Sequence, residues 1–220
     1  MSWTGEGKMD EATHLKALEK KAWTSYFQDG LWEIVFGTIL LASALSCALE
    51  SAGVADATRT AIYFPLIVAL PPLIITLGKW YITLPRMGFV KFGERRMRNQ
   101  IKMMAAIAAT LSVNLVMWGL STIYPEATRG PYGLLLVTFD VLAIFCLIGY
   151  YMDYKGFYLI AVIVAMPYPV TYLLEHYTAI VPNDTLAYGI PAIILLAIGL
   201  SALFQFVRRY DVPKEAPDAS

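Results

Sequence analysis

The sequence predicts an all-α fold, a polytopic membrane bundle of six transmembrane helices with both termini cytoplasmic and an N-terminal amphipathic surface helix. Three observations predict it. Hydrophobic residues make up 58% of the chain and charged residues 15%, against roughly 45–50% and 25% in soluble domains, and the mean hydropathy is +0.56. Six apolar stretches approach the length of about 20 residues that a helix needs to cross a bilayer. Of the 17 lysines and arginines, only Arg59 and Arg129 fall in connections opposite the termini. An excess of basic residues marks the cytoplasmic face.

Residues 1–30 form a cytoplasmic segment without the apolar core of a cleavable signal. Between Asp10 and Phe27, Leu15, Leu18, Ala22 and Tyr26 recur at helical spacing while Lys16, Glu19 and Lys20 lie off that stripe. This pattern suits a helix lying on the membrane surface. Asp29-Gly30 then turns the chain into the first span. The six expected spans are Leu31 to Leu49, Ala61 to Gly78, Met103 to Tyr124, Gly130 to Met152, Gly156 to Leu174 and Leu186 to Val207. Together they make residues 31–207 one transmembrane domain, followed by a polar cytoplasmic tail over 208–220. Aromatic residues such as Trp32, Trp80 and Tyr150 at one interface, and Tyr63 and Tyr188 at the other, fit the belts that flank spans.

The longest cytoplasmic connection, Tyr81 to Lys102, carries the densest basic charge. Pro85 and Gly88 mark a turn, Phe89 to Phe92 are expected to be briefly extended, and Glu94 to Lys102 reads as a helix running into span three. Lys91, Arg95, Arg96, Arg98 and Lys102 match the density of an anionic-lipid site. They also hold the loop on the cytoplasmic side. Its glycines lack the Walker spacing and the Lys-Ser/Thr ending of a phosphate loop.

Asp140 stands apart, because it lies inside LLLVTFDVLAIF, where an ionised carboxylate costs at least about 2.5 kcal/mol. Every lysine and arginine falls in a connection, a tail or a span boundary, which leaves no cation at that depth. By helical rise Asn114 in span three lies at the same level. So do Pro71 and Pro72 of span two and Pro167 and Pro169 of span five, which free the carbonyls of Ile67, Val68, Ile163 and Ala165. Such carbonyls are tolerated where they meet protein or line a cavity. Tyr168 adds a hydroxyl. A polar midplane layer of Asp140, Asn114 and Tyr168 beside two proline hinges is the expected substrate or ion site. Glu33 lies near the cytoplasmic end of span one, within reach of Lys79 and Arg86, and fits either an ion pair or an entry position.

Small residues at Ala44 and Ala48, and at Ala105 and Ala109, offer close-packing faces. Cys47 and Cys146 differ in depth by roughly 18 Å, too far for a disulfide. His14 and His176 lie on opposite sides and do not share a metal. No hydrolase, zinc or nucleotide signature is present, so neither a cofactor nor a catalytic role is expected. Asn183-Asp184-Thr185 fits a glycosylation acceptor. In size and topology, though in no residue motif, the chain resembles the substrate-binding membrane subunits of vitamin importers.

The expected function is therefore that of a small membrane transporter or channel-like subunit in the plasma membrane, binding a cation, proton or small solute around Asp140. The alternative is a non-catalytic subunit or scaffold that docks partners or anionic lipids through the N-terminal helix and the basic loop 86–102. The expected partners are the bilayer, anionic lipids, and a second copy of the chain or a membrane complex. Nucleic acid is not among them.

Overall fold

The computed structural model describes residues 27–87, 94–123, 131–177 and 184–210. Every regular element among them is helical. In chain order these are α1 (Leu31–Ser51), α2 (Asp56–Val68), α3 (Leu70–Gly78), a π-helical turn (Lys79–Thr83), α4 (Leu84–Met87), α5 (Glu94–Ile123), α6 (Pro131–Met152), α7 (Gly156–Ala165), α8 (Pro167–Tyr177) and α9 (Asp184–Arg209). The proposed surface helix lies outside the described residues except for Phe27. The same holds for Phe89 to Phe92, Lys91, Arg129 and the tail beyond Tyr210.

Five stretches are long and apolar enough to cross a membrane, namely Leu31–Ser51, Asp56–Met87, Leu135–Met152, Gly156–Leu174 and Asp184–Arg209. They are consistent with an integral membrane protein. Their outward faces carry large apolar side chains such as Phe64, Phe139, Leu173 and Ile193, each more than half exposed, where water would penalise them and lipid would not. The basic segment from Glu94 runs without interruption into the expected third span as one 30-residue helix. Span two is longer than its hydropathy predicts, because helical structure passes through Lys79 and continues to Met87.

The prolines divide two spans. Pro71 and Pro72 carry no N–H for the carbonyls four residues earlier, and the helix divides at Ala69, whose N–H still donates to the Pro65 carbonyl at 2.9 Å. Pro167 and Pro169 do the same at Met166, whose N–H donates to the Val162 carbonyl at 3.1 Å. A lone proline is not enough, since Pro191 lies inside an unbroken α9.

Helices α1 and α9 form the most extensive pair. Glycine makes it possible. A Cβ at Gly30 would fall on the Gly199 carbonyl oxygen, one at Gly37 would lie 2.8 Å from Leu196, and one at Gly199 would lie 2.8 Å from the Ile34 backbone nitrogen. Ala44 continues the contact toward Gly189, where an added Cβ would lie 3.8 Å from the Ala44 methyl. Ala105 and Ala109, by contrast, are exposed. The core gathers Leu40, Phe145, Phe157, Ile160, Ala161, Ala192 and Leu195, drawn from α1, α6, α7 and α9. At the far end Arg59 bridges Glu50 and Asp56, joining the end of α1 to the start of α2. Cys47 and Cys146 are free thiols. Helix α5 packs chiefly on α6, at the edge of the bundle.

Gly30 and Gly53 share a left-handed backbone, with φ of 76° and 74°, but nothing lies within 4 Å of a Cβ at Gly53. The conformational cost of a side chain there is about 1–2 kcal/mol. Gly53→Ala is expected to lose about that much stability in reversible mixed-micelle unfolding. Gly30→Ala should lose clearly more, because it also collides with α9. Equal losses would contradict the close approach.

Candidate functional site

Among the described residues two polar sites lie inside the bundle, and the sequence singles out the first. Asp140 is the tenth residue of α6 and is half-buried. Its Oδ2 accepts a hydrogen bond of 2.7 Å from Asn114 Nδ2 across the α5–α6 contact. Asn114 Nδ2 also donates to the Thr110 carbonyl at 3.0 Å, which fixes the amide's orientation. No basic side chain pairs with Asp140 among the described residues, and its Oδ1 has no hydrogen-bond partner there. Thr138, two residues earlier, has a buried hydroxyl with no partner among the described residues.

Tyr168 does not join this pair. Its ring meets Tyr188 of α9 edge-on, with centroids 6.2 Å apart, and no contact with Asp140 appears among the described residues. Helical rise gives the height of a residue but not the direction it faces. Thr171 closes the proline break from within, its hydroxyl donating to the Pro167 and Tyr168 carbonyls at 2.8 and 3.0 Å. Pro167 is fully buried and Pro169 half-buried, whereas Pro71 is half-buried and Pro72 exposed. Of the basic cluster, Arg98 and Lys102 are exposed on the first turns of α5. Lys91 and the side chains of Arg95 and Arg96 lie outside the described residues.

The second polar site lies at the end of the bundle where α1 begins. Asp29 is 0% exposed, and its Oδ1 accepts the Leu31 N–H at 3.3 Å, a helix N-terminus where negative charge is favourable. Its Oδ2 accepts from Lys79 Nζ at 2.6 Å and from Thr83 Oγ1 at 2.7 Å. Lys79 and Thr83 open and close the π-helical turn, whose end is marked by a Leu84 N–H bonded to the Lys79 carbonyl five residues back. Single π turns inside α-helices recur at functional sites. Here the turn directs both donors at one carboxylate. The ring of Phe27 lies 5.7 Å from the ammonium and completes the enclosure.

Glu33 sits one turn along α1 from Asp29 and is 4% exposed. Lys79 and Arg86, the partners its position suggests, are engaged elsewhere: Lys79 with Asp29, and Arg86 through Nη1 with the Ile82 carbonyl at 3.0 Å. Glu33 Oε1 instead accepts from the Tyr154 hydroxyl at 3.0 Å. Its Oε2 is buried without a hydrogen-bond partner among the described residues.

The α6–α7 turn places Tyr154 by backbone chemistry. The Asp153 N–H bonds to the Tyr150 carbonyl and the Tyr154 N–H to the Gly149 carbonyl, the paired bonds of a Schellman ending. Asp153 holds its left-handed position at φ 53°, which aspartate tolerates better than most residues. Gly156 leaves the space that the Tyr154 ring occupies, since a Cβ there would collide with it. The ring then stacks on Phe27 at 5.9 Å and meets Phe157 edge-on at 5.7 Å. Burial, reinforced by the charge and hydrogen bond of Glu33, pushes the Tyr154 phenol far above its ordinary pKa. It therefore remains a donor.

Sequence reading missed Asp29 as more than a turn residue and missed Tyr154 altogether. An Asp-Gly pair before an apolar run is a helix-start signal, and that was the available hint. Nothing local points to Tyr154, which is 121 residues from Glu33 in the chain.

Removing one partner of a buried ion pair costs about 3–5 kcal/mol, because the other charge is stranded. Asp29→Asn and Lys79→Met are each expected to destabilise the folded protein by an amount in that range. The double variant should lose less than the two single losses combined. Strict additivity in a double-mutant cycle, read by unfolding in mixed micelles, would contradict the pairing.

No protein-family model, curated protein or solved structure matches the chain, so the functional reading rests on its own residues and their geometry.

Proposed function

We propose that the chain is a small plasma-membrane protein that binds a cation, a proton or a small solute between α5 and α6, with Asp140 as the principal ligand, and moves it across the bilayer. The observation that carries this reading is the Asp140–Asn114 contact of 2.7 Å in the middle of two long helices, with no cation paired to the carboxylate among the described residues. Ionisable residues within membrane spans are costly, and they commonly mark ion or substrate pathways. Asn114 holds one oxygen in place, and the other remains available. The interruptions at Ala69 and Met166 supply points where the flanking helix segments can tilt relative to one another. The distribution of basic residues supports an orientation with both termini cytoplasmic.

A specific observation favours a second reading, that of a docking subunit. On the first turns of α5, Arg98 and Lys102 are exposed beside Met97 and Ile101, each of the latter 63% exposed. Basic and apolar groups side by side suit contact with anionic headgroups at a membrane surface. In that reading the Asp140–Asn114 bond serves to hold α5 to the bundle.

Asp140→Asn keeps shape and hydrogen bonding but removes the ionisable group. Proteoliposome uptake under imposed pH and sodium gradients is expected to fall at least about tenfold in this variant at equal protein abundance, equivalent to about 1.4 kcal/mol. Unchanged uptake would overturn the transport reading. If vesicle binding then depends on phosphatidylserine and is weakened by charge removal at Arg98 and Lys102, the docking reading takes its place.

A further inference from the structure

We propose that Glu33 is a proton-exchange site, separate from Asp140, in which the Tyr154 hydroxyl holds one carboxyl oxygen and the other binds and releases the proton. Two observations carry it together. The first is the charge inventory of the cluster. Asp29, Glu33 and Lys79 offer two carboxyl groups and one ammonium, and the geometry commits that ammonium to Asp29 at 2.6 Å with Thr83 as a further donor. The second is the orphan atom. Glu33 is 4% exposed, and its Oε2 has no hydrogen-bond donor among the described residues. A buried oxygen without a donor costs about 1–3 kcal/mol, and more when it is charged.

A proton on Oε2 removes that cost directly. With it bound, the cluster is a neutral carboxylic acid beside a matched Asp29–Lys79 pair. Without it, the cluster carries one net negative charge inside the bundle. The titratable and charged groups around Glu33 are Asp29 just before its own helix, Lys79 from the π turn and Tyr154 from the α6–α7 turn. Tyr154 donates in either state, so the exchange involves Glu33 alone: one O–H bond forms on Oε2 from a solvent proton and breaks in the reverse step. A metal cation is disfavoured, because the Lys79 ammonium already occupies the positive position in the cluster. The Tyr154 side chain that contacts Glu33 belongs to the α6–α7 turn and is only half-buried.

The titration is also placed to be felt elsewhere. Glu33 lies on α1 within one turn of Gly30, where α1 touches α9 through backbone. A change of charge at Glu33 acts on the helix that makes the most extensive interface in the molecule.

The test is infrared difference spectroscopy of the full chain in nanodiscs, stepped in pH. Subtracting the Glu33→Gln response from that of the unaltered protein is expected to leave a protonated-carboxyl C=O band that disappears as pH rises. Tyr154→Phe keeps the ring stack but deletes the hydroxyl, and is expected to shift that band and its midpoint. Asp140→Asn should leave it in place, which separates this site from the midplane one. A double difference without a carboxyl band, or a band indifferent to Tyr154→Phe, overturns the proposal. Should Glu33→Gln fail to fold, the Tyr154→Phe comparison decides alone: a shifted band supports the site, and an identical spectrum overturns it.

Discussion

The buried contact between Asp29 and Lys79 organises the end of the bundle on which the rest is hung. An ion pair removed from water is tolerated only when its remaining hydrogen-bonding capacity is filled. Asp29 meets that condition with Lys79, Thr83 and the Leu31 N–H. Each of those partners fixes something else. The Leu31 bond sets where α1 begins and puts Gly30 against α9. Lys79 and Thr83 hold the π turn, and with it the extension of span two past its apolar limit. Glu33, one turn along, is left to Tyr154 because the nearest ammonium is taken.

Aromatic rings carry this arrangement into the core. From Phe27 contacts pass to Tyr154, Phe157 and Trp32, then to Phe36 and Phe145, with centroid separations of 4.8–6.2 Å. Offset and edge-on pairs of this kind contribute about 0.5–1.5 kcal/mol each beyond the area they bury. The ladder links α1, α6, α7 and the turn between the last two into one body. Helix α5 is outside it. The two polar sites therefore differ in kind: one adjoins the aromatic ladder, and the other lies on the α5–α6 contact outside it.

Much of the architecture was legible from composition and apolar run length, since lipid-facing helices need no alternation to announce them. The limits of α1, α6 and α9 fall within a few residues of the hydropathy estimate. Span two was cut short at Gly78 because lysine reads as an exit from the bilayer. Lys79 is instead buried and paired with Asp29 inside the protein, and pairing across 50 residues is invisible to any local pattern. The shared depth of Asp140 and Asn114 followed from helical rise alone. The facing of Tyr168 did not, because azimuth depends on how helices pack. Tyr154 was unreadable for a related reason: its position is set by a turn ending that an aspartate, not a glycine, supplies.

Among the described residues, helix α5 packs chiefly on α6 and is joined to it by the half-buried Asn114–Asp140 hydrogen bond. Segments with few partners separate at lower free energy than the body to which they are attached. The seam between α5 and α6 thus lies apart from the aromatic ladder, and its separation would leave the packing of α1, α6, α7 and α9 in place.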